Sequence, residues 1–163
     1  MKARTSDRLV VASWAGTAIF ATTALAAAAT DNGPARAVAL ATALVLFALG
    51  TVAFLAAYAV AVSRSREDAI GIGGLYFLAG KDTAPPAVKR ALLAGLAVQT
   101  VVALATAAAR PYTTLAFGIL VPMYGIGLTG LWGARNGTFE RRRSGNEPDS
   151  KPDGRSDSRP GIG

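Results

Sequence analysis

Gly125, Gly127 and Gly130 stand in the G-x-G-x-x-G spacing that, between a strand and a helix, lets the backbone wrap a dinucleotide pyrophosphate. That chemistry needs a strand ahead of the glycines and a soluble βαβ unit around them. Neither is present, because the glycines lie inside Pro111–Ala134, a run without one charged residue. In an apolar run of that length only a helix or a closed barrel satisfies the backbone. On a helix Gly125, Thr129 and Gly133 recur every four residues and form a smooth stripe that a second helix can approach closely. The stripe is therefore expected to be a packing surface, with Leu128 off it and less critical.

A second candidate is Gln99, the one strongly polar side chain deep in an apolar run. It stands in the series Ala91, Gly95, Gln99, Ala103 and Ala107, which lies on one helix face. Its expected role is a hydrogen bond between helices, worth ~0.6 kcal/mol in membrane proteins; contact with a solute is the alternative. Tyr58 and Tyr124 carry acidic hydroxyls, but no base lies near them in sequence. The chain has no Cys and no His, which removes disulfides, thiol catalysis and the usual zinc, haem and iron–sulfur ligands. All ten acidic residues lie outside the long charge-free runs, so no intramembrane carboxylate is available to carry a proton or cation. Neither an enzyme activity nor a cofactor is expected.

The elements that hold these residues follow from composition. Of 163 residues, 52% are hydrophobic and 17% charged, the profile of a membrane protein. Charge-free runs cover Leu9–Thr30, Ala37–Ser63, Ala91–Ala109 and Pro111–Ala134, each near or above the roughly 20 residues that cross a bilayer core. The expected fold is all-α, an integral membrane four-helix bundle with spans at about 9–30, 36–63, 87–109 and 112–134. Residues 1–8 precede the bundle, 65–86 connect its second and third spans, and 139–163 follow it.

Fifteen of the 17 basic residues fall on one side of this arrangement, and only Arg36 and Arg110 on the other. The bias places both termini in the cytoplasm and the protein in the plasma (inner) membrane as a multi-pass chain. Basic residues that flank spans make no single folded basic face, so no nucleic-acid partner is expected. For the first span, a basic start and the small-residue stretch Ala24–Thr30 leave a cleavable signal peptide as the alternative to a retained helix, although its apolar run exceeds the usual h-region.

Within 65–86, Ser65 and Asp68 have capping-box spacing. Ile72, Leu75, Tyr76 and Ala79 follow at helical spacing, so a short helix lying among the headgroups is expected. Gly71, Gly73 and Gly74 weaken it by about 1 kcal/mol each relative to alanine, and the helix needs membrane or protein contact to persist. In the last span Pro122 is expected to kink the helix and free the carbonyl of Gly118. Tyr112 and Trp132 read as aromatic anchors at its two ends, with Trp14 in the first span. Arg110-Pro111 is too short a turn for anything but an antiparallel hairpin, which would set the small stripes of the last two spans face to face. Beyond Phe139 little can be buried, so a disordered basic tail is expected, with Arg141, Arg142 and Arg143 at the lipid headgroups.

Through "ARPYTTLAFGILVPMYGIGLTGLWGARNGTF" the last two spans resemble a group of small alanine-rich four-helix membrane proteins of actinobacteria. The resemblance implies the same topology for about a third of the chain and carries no site. The expected function is that of a non-catalytic membrane protein acting through helix packing, as a homo-oligomer or an accessory subunit, with membrane lipids and itself or another membrane protein as partners. The alternative is a transporter or channel subunit built around Gln99 and Pro122.

Overall fold

The computed structural model describes residues 2–30, 32–64, 72–79 and 83–138, with side chains from residue 7 onward in the first segment and from 74 in the third. Ser65, Asp68, Gly71, Phe139 and the triple arginine 141–143 lie outside the described residues. Those described form helices α1 (Lys2–Thr30), α2 (Gly33–Arg64), α3 (Ile72–Tyr76) and α4 (Pro86–Ala109), a 3-10 helix (Thr114–Leu120) and α5 (Pro122–Asn136), with no strand among them. Four stretches, in α1, in α2, in α4 and in the 3-10 helix joined to α5, are long and apolar enough to cross a membrane.

Local signals start and stop these helices. Asn32 Oδ1 accepts the Ala35 N–H at 2.8 Å, an N-cap for α2, and Pro86 opens α4 at a position where the missing N–H costs nothing. At the end of α4 the Arg110 N–H still bonds Thr106 O at 3.2 Å. Pro111 then has no N–H to offer, and the chain turns through Tyr112 at φ 63°.

The helices pack in the ring order α1, α2, α5, α4, with the α2–α5 contact the most extensive and α5 also reaching α1. Half of the apolar stretch of the last span is buried, against 28% in each of the other three, so α5 is the centre of the bundle. Its four glycines explain this, since a helix that is thin on several sides admits neighbours on several sides. The main core gathers Phe20, Ala24, Leu46, Ala53, Ala103, Val121, Tyr124 and Leu128. Large apolar side chains such as Val45, Leu49, Val52 and Leu55 of α2 and Val101 and Leu104 of α4 point outward. That is the arrangement a hydrocarbon solvent favours.

The two ends of the bundle differ. One holds Leu9, Val10, Val88, Leu92 and Trp132 around Leu78, and here stand Arg8, Arg64, Lys89, Arg90 and Arg135. The opposite end holds Ala27, Ala39 and Leu115, with Arg36 and Arg110. At the basic end α3 departs from the expected headgroup helix. Leu75, Tyr76 and Leu78 are buried, because their apolar faces find protein: the Tyr76 ring stacks on Phe54 with centroids 4.4 Å apart, and its hydroxyl donates to Phe54 O at 3.3 Å. Phe77 and Ala79, on either side of Leu78, stay exposed. Trp132, expected as an interface anchor, is 3% exposed and packs with Leu78 and Leu92, since α3 and its continuation cover it. Tyr112 is fully exposed and Trp14 about 42% exposed.

Candidate functional site

α1 and α4 run parallel, and one offset, 82 residues, pairs Thr17 with Gln99 and Ala28 with Arg110. Along this seam lies the most polar group inside the bundle. Thr17 Oγ1 donates to Ser13 O at 2.8 Å. It has one proton, so it must accept in its 2.7 Å contact with Gln99 Nε2. The hydroxyl thus fixes the amide: nitrogen toward Thr17, oxygen toward α5. Gln99 is completely buried, as are Ser13 and Thr17 within 2%. The hydrogen bond from Gln99 therefore joins α4 to α1 and ties the register of the two parallel helices.

The small residues named by spacing are divided among different neighbours. A Cβ at Gly95 would meet Ser13 Oγ at 3.1 Å and Thr17 Oγ1 at 3.6 Å, so Gly95 faces α1 and not the glycine stripe of the last span. Gly125 does face α4, where a Cβ would lie 2.8 Å from Gln99 Oε1 and 3.0 Å from Leu96. Gly133 faces the backbone of Leu75 in α3, and a Cβ at Gly118 would lie 3.3 Å from Phe20 of α1. The stripe of the last span thus meets the α4 series through Gly125 and Gln99 and not along its whole length, because α5 shares its glycines among α2, α3 and α4. Thr129 is fully buried and returns its hydroxyl to Gly125 O at 2.8 Å. Leu128, off the stripe, is itself in the main core at 7% exposure.

Pro122 does not interrupt an α-helix. It occupies the first turn of α5, after the 3-10 helix, and the Gly118 carbonyl is taken by the Val121 N–H at 3.0 Å. A change from i+3 to i+4 bonding at the proline absorbs its missing donor without leaving that carbonyl free.

Several contacts have weak sequence signals. Gly50 and Gly127 bring the backbones of α2 and α5 together, since a Cβ on Gly127 would fall on the Gly50 carbonyl oxygen. Tyr124 donates to Ala12 O at 2.8 Å across to α1, with its ring over Gly16. Arg64 Nη1 donates to Ala134 O at 2.7 Å, which caps the C-terminal end of α5, where a cation also suits the helix dipole. Ser13 and Thr17 were legible only as an i, i+4 pair of hydroxyls among many Thr and Ala residues in the first span. Tyr58 lies on the outer surface, 59% exposed, away from Tyr124. Between α1 and α2 opens an apolar groove of about 560 Å³, lined by Ala12, Ala15, Gly16, Ala41 and Val45, with Tyr124 as its floor.

Among the described residues no group of three or more His, Cys, Asp or Glu side chains converges to hold a metal. No protein-family model, curated protein or solved structure matches this chain.

Proposed function

We propose that this chain is a non-catalytic integral membrane protein of the plasma (inner) membrane, with both termini in the cytoplasm, that acts through helix packing as a homo-oligomer or as an accessory subunit of a membrane complex. One observation carries the reading. The four long apolar helices meet through glycine, alanine and buried hydroxyl or amide groups, while every described Asp, Lys and Arg stands at an end of the bundle. Close approach of small residues is how helices associate where the solvent is as apolar as the side chains. The apolar outer faces of α2 and α4 suit lipid or a neighbouring span, and the fifteen-to-two distribution of basic residues supports the orientation.

Affinity purification from membranes in mild detergent, followed by mass spectrometry and light scattering, tests this. Recovery of a defined homo-oligomer or of a fixed membrane partner is the expected result. A monomer without partners that carries a solute across liposome membranes, with the flux lost in Gln99→Leu, would replace helix packing by transport as the function.

A further inference from the structure

We propose that the seam between α1, α4 and α5 binds one buried water molecule, held between the Ser13 hydroxyl and the Gln99 side-chain oxygen. Neither Ser13 Oγ nor Gln99 Oε1 has a hydrogen-bond partner among the described residues, and the two side chains are 1% and 0% exposed. The Thr17 bond to Ser13 O sets the orientation of the amide. Reversing it would set Oε1 against Thr17 Oγ1, whose only proton is already given to Ser13 O. Gln99 Oε1 thus remains an acceptor without a donor, and Ser13 Oγ–H a donor without an acceptor.

Both groups border glycines. Gln99 Oε1 faces Gly125 and Ser13 Oγ faces Gly95; side chains on a helix lean toward its N-terminus, so the Gln99 side chain leans along α4 toward Gly95, one turn below. The two glycines set backbone against these groups, so no side chain at either position supplies the missing donor or acceptor. Water is the molecule that matches the pair, accepting from Ser13 and donating to Gln99. Buried polar groups in an apolar interior are regularly satisfied in this way, and inside a bilayer they have no bulk water to turn to. A cation fits less well, because the seam carries no charge and Thr17 Oγ1 already accepts the Gln99 amide.

A crystal structure grown from a lipid phase, at a resolution that shows ordered water, is the direct test. One density peak within hydrogen-bond distance of both Ser13 Oγ and Gln99 Oε1 is expected in the wild-type protein and none in Ser13→Ala. Thermal unfolding supplies a second readout. Ser13→Ala should lower the midpoint by several degrees by stranding Gln99 Oε1, and adding it to Gln99→Leu should lower the midpoint by much less than it does alone. Replacing sodium chloride by choline chloride should change neither. A dry seam in the wild-type protein, a Ser13→Ala midpoint equal to or above the wild type, or a midpoint that rises with sodium would overturn the proposal. If Ser13→Ala does not fold, the wild-type density decides alone.

Discussion

Gly127 and Gly50 set the closest approach between α2 and α5, and a methyl group on either would land on the partner's backbone. Backbone cannot rotate away as a side chain can, so the helices would have to separate. Overpacking of a dense core costs about 1–3 kcal/mol, and Gly127→Ala is expected at or above the top of that range, seen as a lower thermal midpoint. Gly33→Ala is the control, because nothing lies within 4 Å of its would-be Cβ, and it should be close to neutral. Leu128→Ala should also be costly, in the about 2–5 kcal/mol range of buried leucine truncations, since its side chain belongs to the core. Tyr76 adds a dependence on pH. Burial in the first place, and the neighbouring Tyr58 hydroxyl in the second, raise its pKa above the ordinary 10.0. The folded protein therefore holds a proton that the unfolded chain releases. The resulting stability is fully present below the ordinary phenol value and is lost as pH rises through the folded value. Unfolding midpoints measured from about pH 8 to pH 11 should fall less steeply in Tyr76→Phe than in the wild type; equal slopes would show that Tyr76 contributes nothing to the alkaline loss.

The last span shows how an element takes its form from both ends. Its first part is a 3-10 helix capped by Thr113, whose hydroxyl accepts the Leu115 N–H at 3.3 Å; its second part begins at Pro122, and Arg64 of α2 closes it over Ala134 O and Gly137 O. The last carbonyls of a helix have no partners within it, and here a guanidinium from a parallel neighbour supplies them. Arg64→Ala is expected to leave the bundle assembled while raising hydrogen exchange at the end of α5, around residues 134–137. The expected loss is about 1.5–3 kcal/mol, the range for hydrogen bonds to charged groups. Unchanged exchange there would mean that the Gly137 N–H bond to Gly133 O, at 2.8 Å, holds the end by itself. Arg110 does the corresponding work at the opposite end, donating to Ala28 O from Nε and Nη2 at 3.2 and 3.1 Å. Two residues that look like topology signals in the sequence are thus also caps.

For the molecule as a whole, orientation is the property most open to test. Cysteines placed at Asn32 and Pro111, both exposed at the less basic end, should react with an impermeant thiol reagent added outside intact cells. A cysteine at Ala79, exposed at the basic end, should react only after the membrane is opened. Thr83 is a poor reporter on that side because it is 6% exposed and would be silent in either orientation. External labelling at Ala79 would reverse the proposed topology. The absence of a native cysteine makes these substitutions the only labelled thiols.

Charge-free runs alone determined that four helices are long and apolar enough to cross a membrane, because crossing a bilayer core requires a run of that length and polarity wherever it occurs. The same logic made the G-x-G-x-x-G spacing a packing feature: Gly125, Gly127 and Gly130 lie inside one of those runs. Spacing also singled out Gln99 for an interhelical hydrogen bond, since one amide in an apolar run must find a partner. Which helix supplies that partner was a different matter. Periodicity says which residues share a face and not what the face meets, so the assignment of Gly125 to α4, Gly127 to α2, Gly133 to α3 and Gly95 to α1 rests on the ring order of the helices. The burial of Trp132 and Tyr76 likewise depends on α3 turning into the bundle, a choice between headgroup and protein that an amphipathic pattern leaves equal. Thr17, one hydroxyl among many in α1, gained its place opposite Gln99, and Ser13 its place against Gly95, only when two helices 82 residues apart in sequence came to lie in parallel register.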